Sequence, residues 1–193
     1  MIAVEIAQRA RSSESVCGDV VAITRNPSGV LIAVADGLGH GQFAYEAART
    51  FCDFAVSHVE DGVESIISNA KSVMSKTRGA AAALVNIDED QKILEFIGVG
   101  NIELRSVSKE KICPVSMPGI VGASLRRIRS FRYAVNHDDL FVIFSDGISS
   151  RFALEDYRER TDREVADRIL DEFGKSHDDA TCVVVRINDK VAQ

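Results

Sequence analysis

Two stretches with helical periodicity stand next to each other inside a series of strand-like segments, and that order restricts the fold more than any other feature of the chain. Gln42 to Val59 places Phe43, Ala47, Phe51, Phe54 and Ala55 at spacings near 3.6 residues. Val63 to Met74 follows the break at Asp61-Gly62, and each pattern predicts an apolar face laid on a sheet. The strand-like runs are Ala22 to Thr24 and Val30 to Ala35 before them, then Ala80 to Ile87, Lys92 to Gly98, Ile102 to Val107, Leu140 to Ser145 and Thr181 to Ile187. Most are rich in Val, Ile or Phe and bounded by Gly, Pro, Asn or Asp. A third helical pattern, Asp162 to Phe173, sets Val165, Ile169 and Phe173 on one face and stops at Gly174. A doubly wound parallel sheet requires strand and helix to alternate, which these segments do not do. The expectation is an α+β chain of mostly antiparallel sheets covered by helices. It is read as one domain over residues 1–193, with Asn188 to Gln193 as a loose tail.

Composition narrows the partners. A net charge of −6 over 193 residues argues against nucleic acid, which calls for a basic surplus on one face. An acidic protein that handles phosphate needs positive charge brought in locally, and divalent cations supply it. Cys17, Cys52, Cys113 and Cys182 are widely separated and form no Cys-x-x-Cys pair, so reduced and mostly buried thiols are expected instead of a zinc site or a disulfide framework. Met1 to Glu5 lacks the basic flank and apolar run of a leader, and segments such as Val30 to Ala35 are too short to span a bilayer. The expected location is the cytoplasm, with no membrane partner.

The most informative segment is Val30 to Gly41, an apolar strand that ends on Asp36 and enters a loop with Gly37, Gly39 and Gly41 before a helix. A carboxylate fixed at a strand end is placed to hold a hard cation, and glycines let backbone carbonyls approach it. Taken alone, the same segment also reads as an ordinary strand-turn-helix in which Asp36 caps the turn. Leu140 to Gly147 repeats the arrangement, with an apolar strand delivering Asp146-Gly147, and His177 to Thr181 brings Asp178 and Asp179 to the start of the last strand. Carboxylates thus stand at three strand boundaries. Oxygen ligands of this kind suit magnesium or manganese better than zinc.

The order Gly18-Asp19, Asp36-Gly37, Gly79 to Ala82, Gly98 to Asn101, Ser145-Asp146-Gly147 and Asp178 to Thr181 resembles the metal-dependent protein phosphatase (PPM) family over nearly the whole chain. The loop Asp36 to Gly41 is most similar to the bacterial sporulation and stress-response branch, and in particular to its short stand-alone stressosome members. The resemblance implies a four-layer α-β-β-α sandwich of two mostly antiparallel sheets flanked by helices, with two divalent cations, Mn2+ or Mg2+, at one end. It implies that Asp36 bridges both, that the Gly37 carbonyl binds one, that Asp146 and Asp178 bind the other, and that Asp19 acts directly or through water. Asp179 would lie behind the ligands. Two metals about 3.5–4 Å apart activate a water and stabilise both oxygens of an in-line displacement, so no covalent nucleophile is needed. The implied activity is serine/threonine phosphoprotein phosphatase, and the implied partner is a phosphorylated STAS-domain protein or another stressosome component.

The chain departs from eukaryotic relatives in two places. Leu38 occupies the position where a histidine is expected after the bridging Asp-Gly, and Arg11 aligns too weakly to be assigned as a phosphate ligand. His40 is a candidate general acid, although a histidine at a helix start is more often structural. Ala80 to Ala83 reads as a packing requirement between close layers. Arg126, Arg127, Arg129 and Arg132 form the one basic cluster, read either as a solvated face or as a docking surface. A nucleotide-binding kinase or ATPase is excluded because no Gly-Lys-Ser/Thr ends the glycine loop. The remaining rival is a catalytically inactive phosphoprotein-binding module of the same fold. Three retained aspartates argue against it, because clustered carboxylates repel one another unless a cation compensates them.

Overall fold

In the computed structural model, which describes residues 1–125 and 127–188, nine strands and three α-helices follow the order the sequence suggests. In chain order these are β1 (Ile2–Arg9), β2 (Asp19–Asn26), β3 (Gly29–Gly37), α1 (Gln42–Ser57), α2 (Val63–Met74), β4 (Ala80–Asp88), β5 (Ile93–Val99), β6 (Glu103–Val107), β7 (Ser130–Ala134), β8 (Leu140–Phe144), α3 (Asp162–Phe173) and β9 (Ala180–Ile187). The strands form a five-stranded sheet ordered β2-β3-β4-β5-β7 and a four-stranded sheet ordered β1-β9-β8-β6, with every neighbouring pair antiparallel. The expected α+β sandwich is the observed one.

The period-2 alternation of the strands builds three cores. Val30, Ile32 and Val34 of β3 point between the sheets, where they meet Phe141 and Ile143 of β8 and Val183 and Val185 of β9. Leu31, Ala33 and Ala35, on the other side of β3, pack on Ala47, Phe51 and Ala55 of α1 and on Ile66 and Ile67 of α2. On the far side of the four-stranded sheet, Val142, Cys182 and Val184 pack on Val165, Ala166 and Ile169 of α3. Each central strand is therefore buried on both faces, which is why these runs read as continuously apolar. The alanine run splits the same way: Ala80 and Ala82 face the helices while Ala81 and Ala83 face the opposite sheet. Thr161 starts α3 with a capping box shared with Glu164.

Three sequence expectations change. β1 is not among the expected strands. It pairs with β9 along its whole length, from Ile2 opposite Ile187 to Arg9 opposite Ala180, so its partner lies at the other end of the chain. Phe43 does not join the buried face of α1: it sits in the helix's first turn and is 63% exposed. The first residue of the expected tail is held, since the Asn188 N–H donates to the Met1 carbonyl at 2.8 Å; residues 189–193 lie outside the described residues. All four cysteines are free, with Cys52 and Cys182 buried and Cys113 exposed. Among the described residues no helix is long and apolar enough to cross a membrane.

Candidate metal centre

Asp19 opens β2 and stands directly opposite Asp36 near the end of β3. The alternation that sends Val21, Ile32 and Val34 between the sheets sends these two carboxylates there too, at the open end of the sandwich. From the facing sheet the same parity brings Ser145, just beyond β8, and Thr181 of β9. The Ser145 hydroxyl donates to Asp19 Oδ2 at 2.7 Å, and Thr181 N–H donates to Ser145 Oγ at 3.1 Å, so one hydroxyl ties the two sheets together. Gln8 on β1 donates from Nε2 to the Asp19 carbonyl and to Thr181 Oγ1, both at 2.9 Å. Asn101, just beyond β5, donates from Nδ2 to Asp36 Oδ2 at 3.0 Å.

Backbone crowding explains both Asp-Gly corners. A Cβ on Gly37 would lie 1.8 Å from the Ala44 carbonyl oxygen in the first turn of α1, and one on Gly147 would lie 1.8 Å from the Asp179 carbonyl oxygen. Gly147 therefore locks the Asp146 corner onto the loop that carries Asp178 and Asp179. Asp179 is buried and accepts the Arg11 backbone N–H on Oδ1 at 3.0 Å, while Asp178 Oδ1 accepts the Asp179 N–H at 3.0 Å. Asp146 is exposed at the rim, and Lys175 Nζ donates to its carbonyl.

The electrostatics report a concentration of negative charge. Burial pushes the Asp36 carboxyl up to about 8, and the charges of Asp19, Asp146 and Asp178 push in the same direction against the hydrogen bond from Asn101. Asp19 is raised to about 6, chiefly by burial; the Ser145 and Thr181 hydroxyls oppose the shift, and Asp179 and Asp146 add to it. Burial also pushes the Cys17 thiol up to about 12, with the Asp19 charge adding, so it is no nucleophile at neutral pH.

The predicted ligands thus share one end of the fold and sense one another's charge. They do not form a finished cage: among the described residues no three His, Cys, Asp or Glu side chains converge on a single cation position. The donor chemistry nevertheless fits hard divalent cations. Asp19 Oδ1 and Asn101 Oδ1 are buried oxygens with no hydrogen-bond partner, and buried acceptors are seldom left so. A cleft of about 390 Å³ opens beside them, with Asp36 and Asn101 at its inner end and Leu38, Pro118 and Ile120 along its walls.

His40 lies in the loop between Asp36 and α1. Its Nδ1 lies 2.6 Å from Glu14 Oε1, within hydrogen-bonding distance. Asn101, Ser145, Thr181 and Gln8 received no role from the sequence. Strand parity carried forward from Ile32-Val34-Asp36 and Phe141-Ile143-Ser145 would have pointed Asp36 and Ser145 into one space, whereas Gln8 and Asn101 depend on which strands become neighbours.

The sequence model of the Stage II sporulation protein E (SpoIIE) family matches residues 26–188. Phosphoserine phosphatase RsbX of Bacillus subtilis (strain 168) is 28% identical over 141 residues, 72% of this chain and 71% of that protein. A structure solved in work on the bacterial stressosome, as a modular system adapted to control secondary messenger signalling, superposes with a TM-score of 0.90. It is 32% identical and covers 96% of this chain and 100% of that one. The crystal structure of RsbX in complex with magnesium superposes with a TM-score of 0.84 at 25% identity, over 96% of this chain and 99% of that one.

Proposed function

The chain belongs to the Stage II sporulation protein E (SpoIIE) family, and from that membership we propose that Asp36, Asp146 and Asp178 hold the two divalent cations with which it works. It is a metal-dependent protein phosphatase, similar in sequence and fold to a phosphoserine phosphatase whose structure contains magnesium. The inactive binding module is not favoured. The observation that carries the assignment is the cross-strand pair Asp19 and Asp36, two carboxyl groups held opposite each other between the sheets, where ionising both is costly. Such a pair is unfavourable without a compensating cation.

On this reading Asp36, the Gly37 carbonyl, Asp146 and Asp178 would hold the cations, with Asp19 acting directly or through water. When bound, the cations supply Lewis-acid charge to the phosphoryl oxygens and lower the pKa of the attacking water. Asn101 orients the Asp36 carboxylate, and Ser145 orients that of Asp19. Asp179 holds the backbone at Arg11 and fixes the loop on which Asp178 sits. His40, held by Glu14, is the candidate proton donor to the leaving seryl oxygen.

The protein partner we propose is a phosphorylated STAS-domain protein of a stressosome or a related partner-switching pathway, supported by the two relatives named for RsbX and the stressosome. Arg127, Arg129 and Arg132 lie on or beside β7, an edge strand whose first residue faces Ile97 toward the site end, and offer a basic surface to such a partner. Arg126, the fourth member of that cluster, lies outside the described residues. The test is hydrolysis of phosphoserine STAS proteins and of unrelated phosphoproteins with added manganese or magnesium and with a chelator. Loss of all activity with chelator and preference for STAS substrates are expected. Full activity in metal-free protein removes the metal assignment, and equal rates on all substrates remove the STAS assignment alone.

A further inference from the structure

Leu38 and Phe43 are large apolar side chains left in solvent, 45% and 63% exposed, and they flank the loop that carries Asp36. Leu38 is a wall of the cleft that ends at Asp36 and Asn101. Its N–H donates to the Gly79 carbonyl at 3.0 Å, which sets the turn after α2 against the same loop. From that turn the Arg78 guanidinium reaches over the Phe43 ring, 4.9 Å from its centroid. Gly39, at φ +100°, makes room for it: a Cβ there would lie 2.8 Å from Arg78 Nη1. Among the described residues no carboxylate pairs with Arg78, nor with Lys76 two residues before it.

An arginine laid on an exposed aromatic ring, beside an apolar wall, is the side-chain chemistry that dominates protein interfaces. The fork of the guanidinium suits a carboxylate. The Arg78 guanidinium, held over Phe43 and against Gly39, offers an acidic segment a cation beside that apolar wall. The order of groups outward from Asp36 is then apolar at Leu38 and Phe43, and basic at Arg78.

We propose that Leu38, Phe43 and Arg78 form a docking rim for the protein segment around the phosphorylated residue. The segment that fits carries an apolar side chain next to its phosphoserine or phosphothreonine and an Asp or Glu just beyond it. This rests on the phosphatase reading and specifies the substrate of the same site.

Four phosphoserine peptides test it, with Leu or Gly at the neighbouring position and Asp or Asn beyond, alongside para-nitrophenyl phosphate, on the manganese-loaded protein and its Phe43→Ala, Arg78→Ala and Arg78→Lys variants. The Leu/Asp peptide is expected to have the lowest KM. Arg78→Ala and Phe43→Ala should each raise that KM by about tenfold with little change in kcat. Replacing Asp by Asn in the peptide should abolish the effect of Arg78→Ala, and Arg78→Lys should recover part of it. Equal KM for all four peptides overturns the proposal. So does a parallel fall in peptide and aryl phosphate hydrolysis in the variants. A dimer in sedimentation equilibrium that Phe43→Ala dissociates assigns the rim to a second copy and also overturns it. If the unsubstituted protein hydrolyses neither kind of substrate, the phosphatase reading fails, and fluorescence anisotropy of the four peptides decides the docking rim separately by the same ranking.

Discussion

The two Asp-Gly corners, Asp36-Gly37 at the end of β3 and Asp146-Gly147 just past β8, share a dipeptide and a steric cause but not an environment. Each glycine is required because a carbonyl oxygen occupies the place of its missing Cβ at 1.8 Å. Asp36, however, is turned between the sheets opposite a second carboxylate, with its carboxyl raised to about 8, whereas Asp146 stands exposed at the rim. The same local geometry therefore delivers one carboxylate that is costly to ionise without a cation and one that water already solvates. On the proposed assignment the first would be the fixed centre of the site and the second an adjustable contributor.

The largest separation between the corners is expected in turnover. With saturating manganese, Asp36→Asn should lower kcat by a factor on the order of a thousand or more, and added metal should not restore it. Asp146→Asn should cost on the order of 10- to 100-fold, with partial recovery as metal concentration rises. A metal titration of both variants measures this. If Asp146→Asn proves as severe and as resistant to added metal, the two corners are equivalent and the distinction fails.

Stability should show the corners behaving alike, because there the steric cause governs. Gly37→Ala and Gly147→Ala should each destabilise the protein by about 3 kcal/mol or more, since a methyl group has to displace a carbonyl. Urea unfolding followed by circular dichroism gives both values. A loss below about 1 kcal/mol at either position would mean that the backbone there gives way easily.

The smallest effect concerns the charge alone. The folded-state carboxyl of Asp36 is raised from 3.8 to about 8, so metal-free folded protein holds a proton that the unfolded chain has released across that interval. The stabilising contribution of that proton is complete below the unfolded value near 3.8 and is lost as pH rises through about 8. The melting temperature in chelator should therefore fall between pH 5 and pH 8.5, and Asp36→Asn should flatten that fall and leave the metal-free protein more stable than the unsubstituted one at pH 8.5. Relief of even about 1.4 kcal/mol moves Tm by roughly 3–6 °C. Asp146→Asn, which removes only one of the lesser causes of the Asp36 shift, should change the slope much less.

What the sequence disclosed, and what it did not, divides along the range of the interactions involved. α1, α2, α3 and the central strands were legible because their burial writes a period into consecutive residues. β1 was not, because the strand that completes it begins at Ala180. Phe43 was placed in the core by its spacing from Ala47 and Phe51, yet the buried face of α1 centres on Ala44, Ala48, Phe51 and Ala55 and leaves Phe43 at its margin, where it stacks under Arg78. In the site, Asp36, Asp146 and Asp178 could be nominated from strand ends and adjoining glycines. Asn101, Ser145, Thr181 and Gln8 could not, because a hydrogen bond such as Ser145 to Asp19 spans 126 positions and nothing near either residue records it.

The pairing of β1 with β9 also sets an order of assembly during synthesis on the ribosome. The five-stranded sheet uses only residues between Asp19 and Ala134, so it and its two helices can form while the rest of the chain is still being made. The four-stranded sheet has to wait: β1 is synthesised first but has no edge to join until Ala180–Ile187 has emerged, and β8 gains its central neighbour at the same moment. Asp19 and Asp36 can thus take their places early, whereas Asp178 and Thr181 come with the last strand. A chain that lacked β9 would hold Asp19 and Asp36 without the neighbour that joins β1 to β8, so the proposed site is completed only when β9 pairs with both.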